Sequence, residues 1–420
     1  MFFLYQIIIT ITLIFSPLII FFRILKKKED KKRYKEKFCF PSKKRISGNL
    51  IWFHGSSVGE LLSILPLVQE LEKNKSINQI LITTSTLSSA QIFKKFNFKK
   101  TVHQFFPIDS IFFSYKFLNY WKPTIAIFVE SEIWPSIFKI LNKKKIPLKL
   151  LNARITKKTF DKWRRVKKFS NSVFQNISIA YPQNEETLNY LKKLNVKKIK
   201  KIGNLKFFNN QQSKLTKLDN TFLKNINLKK IWCASSTHPG EEIICANAHV
   251  NLKKKYKNLL TIIIPRHIHR VNKIVNEIKS LDLNIVLHSS RPKKLNNTDI
   301  YLVDTYGETQ KFYHSSDIVF MGKSISGKGG QNPLEPTNLG STVLYGPNVD
   351  NFKDTYKLLN KLKVAYKVNG VKSLTQSIDK LITKPNNKKN YLKIAKIGKK
   401  ILNETKDEIN SLFNNEIKKT

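Results

Sequence analysis

The strongest constraint on what this chain can fold into is an alternation. Short apolar runs recur at 49–53, 80–84, 102–106, 125–129, 148–151 and 177–180, each followed by a helix-like amphipathic stretch, and 198–202 continues the series of strands. A second series follows at 231–234, 259–264, 284–287, 300–303, 318–321 and 342–345. Strands that alternate with helices predict parallel sheets covered on both faces. The run 209–230 between the series is polar, rich in Asn, Lys and Gln, and reads as a linker. The expected organisation is two doubly wound, Rossmann-like domains, 48–208 and 231–420. Ligands of such sheets bind outside the carboxyl ends of the strands, which places the expected site in a cleft between the domains.

Ahead of the alternation, residues 1–22 carry no charged side chain and are mostly Ile, Leu and Phe. That length spans a bilayer as a helix. A basic segment, 23–47, follows, beginning Arg23-Ile24-Leu25-Lys26-Lys27-Lys28. The positive-inside rule then predicts a single-pass anchor with everything after residue 23 in the cytoplasm, an interfacial helix being the alternative. The basic segment would be drawn to an anionic membrane surface. The whole chain has 76 Lys+Arg against 29 Asp+Glu, a net charge of +47. Lys, Asn and Ile are abundant throughout, as codon drift toward AT would produce, so the excess does not by itself nominate a partner. A membrane-tethered nucleic-acid-binding protein would use such a field, yet it leaves the polar clusters at strand ends without a purpose, and no nucleic-acid partner is expected. Three cysteines with no C-x-x-C pair argue for a reducing compartment.

Those clusters carry the chemistry. The stretch 318–347 reads as a strand ending at Met321, then Gly322, Gly327, Gly329 and Gly330, then a helix starting near Asn332-Pro333-Leu334-Glu335. Free N–H groups of a glycine-rich loop and a helix N-terminus favour an anion, so the expectation is a nucleotide or nucleotide-sugar pocket. A phosphate-binding loop of the nucleotide-hydrolysing type is excluded, because Gly329 stands where Ser or Thr must hold magnesium. Ser57-Val58-Gly59-Glu60 places a carboxylate at a helix start after the first strand of the alternation. The same residues are the grammar of a capping box, so the acid is either a cap or a general base. Glu130 and Glu132 follow the 125–129 strand, and two acids so close repel. Asn152-Ala153-Arg154, Gly203 to Lys206, Ser235 to Glu242, Pro265-Arg266-His267 and Asp304 to Glu308 share the same placement. His267-x-His269 has metal-ligand spacing but no acid nearby in sequence, and no metal is expected.

In this order, HGSSVGE, VESEIWP, NARIT, GNLKF, SSTHPGEE, PRH, DTYGE and GGQNPLEP resemble the bacterial 3-deoxy-D-manno-octulosonic acid (Kdo) transferases of lipopolysaccharide synthesis, over nearly the whole chain. The resemblance implies a GT-B fold and an inverting, metal-independent glycosyltransferase without a cofactor. Its donor would be CMP-Kdo and its acceptor a lipid A precursor at the inner membrane. Carried over, Glu60 matches the catalytic base, and Glu130, with Glu132 beside it, and Lys206 match transition-state positions. Pro265, Arg266, Tyr306, Gly307, Glu308, Asn332, Pro333, Leu334 and Glu335 match CMP-contacting positions. The sequence departs from the family at Gly55, commonly Ala, at Lys323, commonly Gly, and at Gln331, commonly His. The alternative activity is that of a GT-B enzyme using a UDP-sugar.

Overall fold

A computed structural model of the chain describes residues 1–208, 218–227, 229–292, 294–384 and 388–419. The chain forms two compact units: Met1–Phe208 with Gly398–Thr420, and Asn209–Ile397.

The first unit is built on β1 (Leu50–His54), β2 (Gln79–Thr84), β3 (Thr101–Phe105), β4 (Ile125–Val129), β5 (Leu148–Ala153) and β6 (Ile177–Pro182). They pair in parallel in the order β3-β2-β1-β4-β5-β6. Strands of a sheet covered on both faces have no wet side, so they read as unbroken apolar runs, and β1, β2, β4 and β5 are buried at every position. The chain reverses its direction of travel between β1 and β4, whose carboxyl ends therefore open a crevice.

The second unit holds β7 (Lys230–Thr237), β8 (Leu259–Pro265), β9 (Ile285–Leu287), β10 (Ile300–Leu302), β11 (Ile318–Met321), β12 (Thr342–Tyr345) and β13 (Ala365–Lys367). All are parallel, in the order β13-β12-β11-β7-β8-β10-β9. Its reversal lies between β7 and β11. Both units are thus Rossmann-like, as the alternation predicts.

Four details differ from expectation. The run 198–202, Lys-Ile-Lys-Lys-Ile, makes only a single bridge, Ala180 with Ile199. The edge strand β13 went unforeseen, since only Ala365 of its three residues is buried. Part of the expected linker (209–217 and 228) lies outside the described residues. The described remainder contains a helix, Asn220–Ile226, not a loose connection. Leu218, Phe222 and Ile226 recur every four residues and are buried, with the Phe222 ring 4.8 Å from Tyr301 and 5.9 Å from Phe312. Finally, the last helix, Lys388–Ile417, belongs to the first unit from Gly398 onward, so 398–420 leave the expected 231–420 domain. A Cβ on Gly398 would stand 2.4 Å from the Phe207 carbonyl, and one on Gly203 2.7 Å from Ile401. Only glycine allows that approach.

The basic segment after the first helix is also part of this unit. Its short helical turn Tyr34–Phe38 carries Glu36, which accepts from the Phe105 N–H at 2.7 Å and from both arms of Arg33 at 2.7 and 2.9 Å. The first helix, Phe2–Leu25, is long and apolar enough to cross a membrane.

Candidate functional site

The crevice between β1 and β4 gathers the acids that the sequence placed at strand ends. Ser57 caps the helix Val58–Leu71, its Oγ accepting from the Glu60 N–H at 3.3 Å while Glu60 Oε2 accepts from the Ser57 N–H at 2.9 Å. Glu60 is therefore a capping residue. It is also 91% buried in a crowd of acids, and its carboxyl is pushed up to about 7. Burial is the largest cause. The Ser57 amide and Lys206 oppose it, while the charges of Glu132 and Glu130 add to it. The cap engages one oxygen; Oε1 takes no hydrogen bond among the described residues.

Glu130 is held by β5: its N–H donates to the Leu151 carbonyl at 2.9 Å, and its carbonyl accepts from the Arg154 N–H at 3.2 Å. Its φ of +58° is left-handed, which costs a residue with a Cβ about 1 kcal/mol or more. This strain aims the buried carboxylate at Lys206, whose Nζ lies 2.5 Å from Glu130 Oε1. Lys206 rides on the short turn Leu205–Phe207. Asn204 Oδ1 accepts from the Lys206 N–H at 2.9 Å, and Asn152 Oδ1 from the Leu205 N–H at 3.1 Å. The close pass of Gly398 packs the other side of that turn. Two motifs remote in sequence, at 152–154 and 203–206, thus build one ion pair.

Glu132 has a different job from Glu130. Its Oε2 accepts from Ser56 Oγ at 2.5 Å, Trp134 Nε1 at 2.8 Å and His54 Nε2 at 3.1 Å. Burial alone would raise its carboxyl, but the bonds from His54, Ser56 and Trp134 outweigh that and hold it below the ordinary carboxylate range. Sequence reasoning missed His54, the buried last residue of β1, which lies stacked 3.8 Å from the Phe106 ring and bonded to Thr83 through Nδ1. A histidine ending a switch-point strand was the available signal.

In the second unit the carboxyl edge carries every expected donor position, at the end of β8 (Pro265, Arg266), after β10 (Tyr306, Gly307, Glu308) and after β11 (Asn332 to Glu335). The first part of the glycine-rich loop is already held from within, because Glu241 takes the N–H groups of residues 323–326. This fully buried carboxylate accepts from the N–H groups of Lys323 at 2.7 Å, Ser324 at 2.9 Å, Ile325 at 2.9 Å and Ser326 at 3.4 Å, and from His238 at 2.9 Å. The neighbouring Glu242 grips Arg270 through both guanidinium arms, at 2.8 and 3.2 Å. Glu241 and Glu242 therefore brace loops. The helix after the loop, Leu334–Asn338, is a bare turn, with Asn332 Oδ1 accepting from the Leu334 N–H at 3.2 Å.

What remains open to a ligand is chiefly Arg266. Its N–H is tied to the Thr237 carbonyl at 3.1 Å, while its side chain is exposed at the end of β8. Tyr306 is exposed beside Gly307, whose φ of +86° makes the turn. Burial would raise the Glu308 carboxyl, but bonds from Lys311 (2.6 Å), Thr305 (3.0 Å) and His288 hold it low. His267 and His269 gather with His238 into a ring cluster, yet no group of three His, Cys, Asp or Glu among the described residues is placed to hold a metal.

Lys323 has a φ of +59°, a left-handed conformation that favours glycine. The left-handed penalty of ~1–2 kcal/mol exceeds the extra unfolded-state entropy of glycine, ~0.5–1 kcal/mol. Lys323→Gly should therefore raise the denaturant midpoint, by up to about 1 kcal/mol of stability. A lower midpoint would mean that the lysine side chain itself supports the loop.

A family model described as 3-Deoxy-D-manno-octulosonic-acid transferase (kdotransferase) matches residues 32–209. The 3-deoxy-D-manno-octulosonic acid transferase of Rickettsia bellii (strain RML369-C) is 34% identical over 406 residues, 94% of this chain and 96% of its own. The protein of that name from Haemophilus influenzae is 29% identical over 372 residues, 86% of this chain and 85% of its own. Among solved structures, UDP-GlcNAc 2-epimerase from Neisseria meningitidis bound to UDP-GlcNAc superposes with a TM-score of 0.58 at 16% identity, covering 87% of this chain and all (100%) of that one. At that identity the likeness concerns the fold alone, a GT-B pair of Rossmann-like units.

Proposed function

The chain belongs to the 3-deoxy-D-manno-octulosonic acid (Kdo) transferase family, and from that premise we propose that it moves Kdo from CMP-Kdo to a lipid A precursor, with inversion and without a metal. It is a glycosyltransferase. The observation that carries the mechanism is Glu60, a buried carboxyl held at about 7 at the carboxyl end of β1. A base with that proton affinity is matched to neutral pH. The acceptor hydroxyl gives its proton to Glu60 as its oxygen bonds to the anomeric carbon of Kdo. The bond from that carbon to the phosphate oxygen breaks, and CMP leaves with the electron pair. We assign the proton transfer to the first unit, with Lys206 as its cation, and CMP recognition to the second, with Arg266 meeting the phosphate charge. Cations of the protein then serve where a divalent metal otherwise would, so a chelator should leave the rate unchanged. Loss of rate restored by magnesium would refute that part.

Glu60 must be ionised to accept a proton. Turnover should therefore rise with pH and level off above about 7, the ionisation the fold imposes on this group. A profile flat from pH 5 to 8 would contradict the assignment. For the donor, the test is thermal protection: CMP should raise the melting temperature and UDP at equal concentration should not. Protection by UDP alone would point to a UDP-sugar. The apolar first helix and the family indicate association with a membrane, and we place the enzyme on the cytoplasmic side of the inner membrane, where an acylated, phosphorylated acceptor lies.

A further inference from the structure

The first helix does not stand away from the protein. Phe2, Tyr5, Gln6, Ile9, Leu13, Ser16, Ile20, Arg23 and Ile24 are its sheltered positions, spaced three and four apart along its entire length. That spacing is one stripe of a helix, so the helix, about 36 Å long at 1.5 Å per residue, lies along the first unit. Specific polar bonds fix its beginning. Tyr5 Oη donates to Asp109 Oδ2 at 2.7 Å, Gln6 Nε2 donates to Ser136 Oγ at 2.8 Å, and the Phe2 and Tyr5 rings lie 6.5 and 6.0 Å from that of Phe169. Asp109 is itself buried and locked by the N–H groups of Ser136 and Ile137, both at 2.9 Å. The residue before it ties down the chain beyond the helix, with the Ile108 N–H donating to the Lys37 carbonyl at 3.0 Å. One loop of the first unit thus holds both sides of the helix.

A helix that crossed a bilayer would carry Phe2–Gln6 to the far side and break every one of these bonds. The charges agree. Exposed Lys26, Lys27 and Lys28 follow one end, while Lys139 lies over the Phe2 ring at 4.1 Å and exposed Lys167 and Lys168 precede Phe169 at the other. A spanning helix is basic on one side, whereas a helix lying in the headgroup plane gains from cations at both. Away from the stripe the helix offers an apolar face (Phe3, Ile7, Ile14, Leu18 and Phe21 among it), and Phe112 on the adjoining helix Ile111–Trp121 is exposed as well.

We propose that Phe2–Leu25 is a one-sided membrane element, lying in the plane of an anionic phospholipid surface with its apolar face in the lipid and both ends on the protein's side. This differs from the single-pass anchor that hydropathy suggests, and it stands independently of the transfer reaction. The test is topological. A cysteine in a short Gly-Ser extension before Met1 can be probed selectively in the full chain, because Cys39, Cys233 and Cys245 are all buried. A membrane-impermeant maleimide should modify it in inside-out membrane vesicles and leave it untouched in right-side-out ones. Modification from the outer face, or only after detergent, would overturn the proposal. In a second arm, the purified chain should float at least tenfold better with phosphatidylglycerol vesicles than with phosphatidylcholine vesicles. Equal recovery from both, or a stable dimer that floats with neither, would show that something other than an anionic surface covers the face. Neither readout measures transfer, so neither depends on the donor or the acceptor.

Discussion

Glu60→Gln should lower turnover by about 10²–10⁴-fold, the usual worth of a positioned general base. Glutamine keeps the shape and can still accept the Ser57 N–H at 2.9 Å through its amide oxygen, so the helix cap survives. It cannot take a proton at any working pH. It also removes one of three neighbouring carboxyl groups, relieving the repulsion from Glu132 and Glu130. The variant should therefore melt no earlier than the natural protein. Protection by CMP should be unchanged, because the residues proposed to hold the donor belong to the other unit. A Gln variant with near-normal turnover would remove Glu60 from the chemistry and leave it a helix cap only. One with low turnover and an early melt would say that the cap, not the proton, had been lost.

The second large effect is expected at Glu241, which no sequence argument singles out as a structural centre. Glu241→Ala would leave the N–H groups of His238, Lys323, Ser324 and Ile325 without their acceptor. Each buried unpaired donor costs ~1–3 kcal/mol, though water entry and loop relaxation recover part of the sum. A net loss of about 3–5 kcal/mol is expected, similar to breaking a buried charge pair. Chemical denaturation should show it, together with loss of CMP protection as the loop carrying Asn332 to Glu335 lets go. Glu241→Gln should fall between, since its amide turns an N–H group toward other donors. A Glu241→Ala protein as stable as the parent would mean that the loop is not held from within.

The alternation in the sequence carried most of both sheets, because a parallel strand buried on both faces is an uninterrupted apolar run. It failed where burial is not local. The β13 edge strand exposes two of its three residues, and the helix Asn220–Ile226 hides Phe222 and Ile226 in a polar run. The final helix changes units at Gly398, which its contacts with Phe207 and Gly203 reveal. The site was legible as a set of strand ends, since register puts loop residues on one edge whatever their separation. Which acid does what was not. Glu130 and Glu132 read alike in sequence and differ because one faces Lys206 and the other His54, Ser56 and Trp134. Glu60 was a choice between cap and base, and the fold makes it a cap that buries its carboxyl. The cradle of loop N–H groups was legible as chemistry, but nothing local says that Glu241 reaches across to fill the first of them, from Lys323 to Ser326.

The most direct measurement is the product itself. The full chain, incubated with CMP-Kdo and a tetra-acylated lipid A precursor, should convert that lipid to a species heavier by one or more whole Kdo residues, with release of CMP in equal number. An unchanged lipid mass, with CMP-Kdo intact and the same lipid glycosylated from a UDP-sugar, would contradict the account.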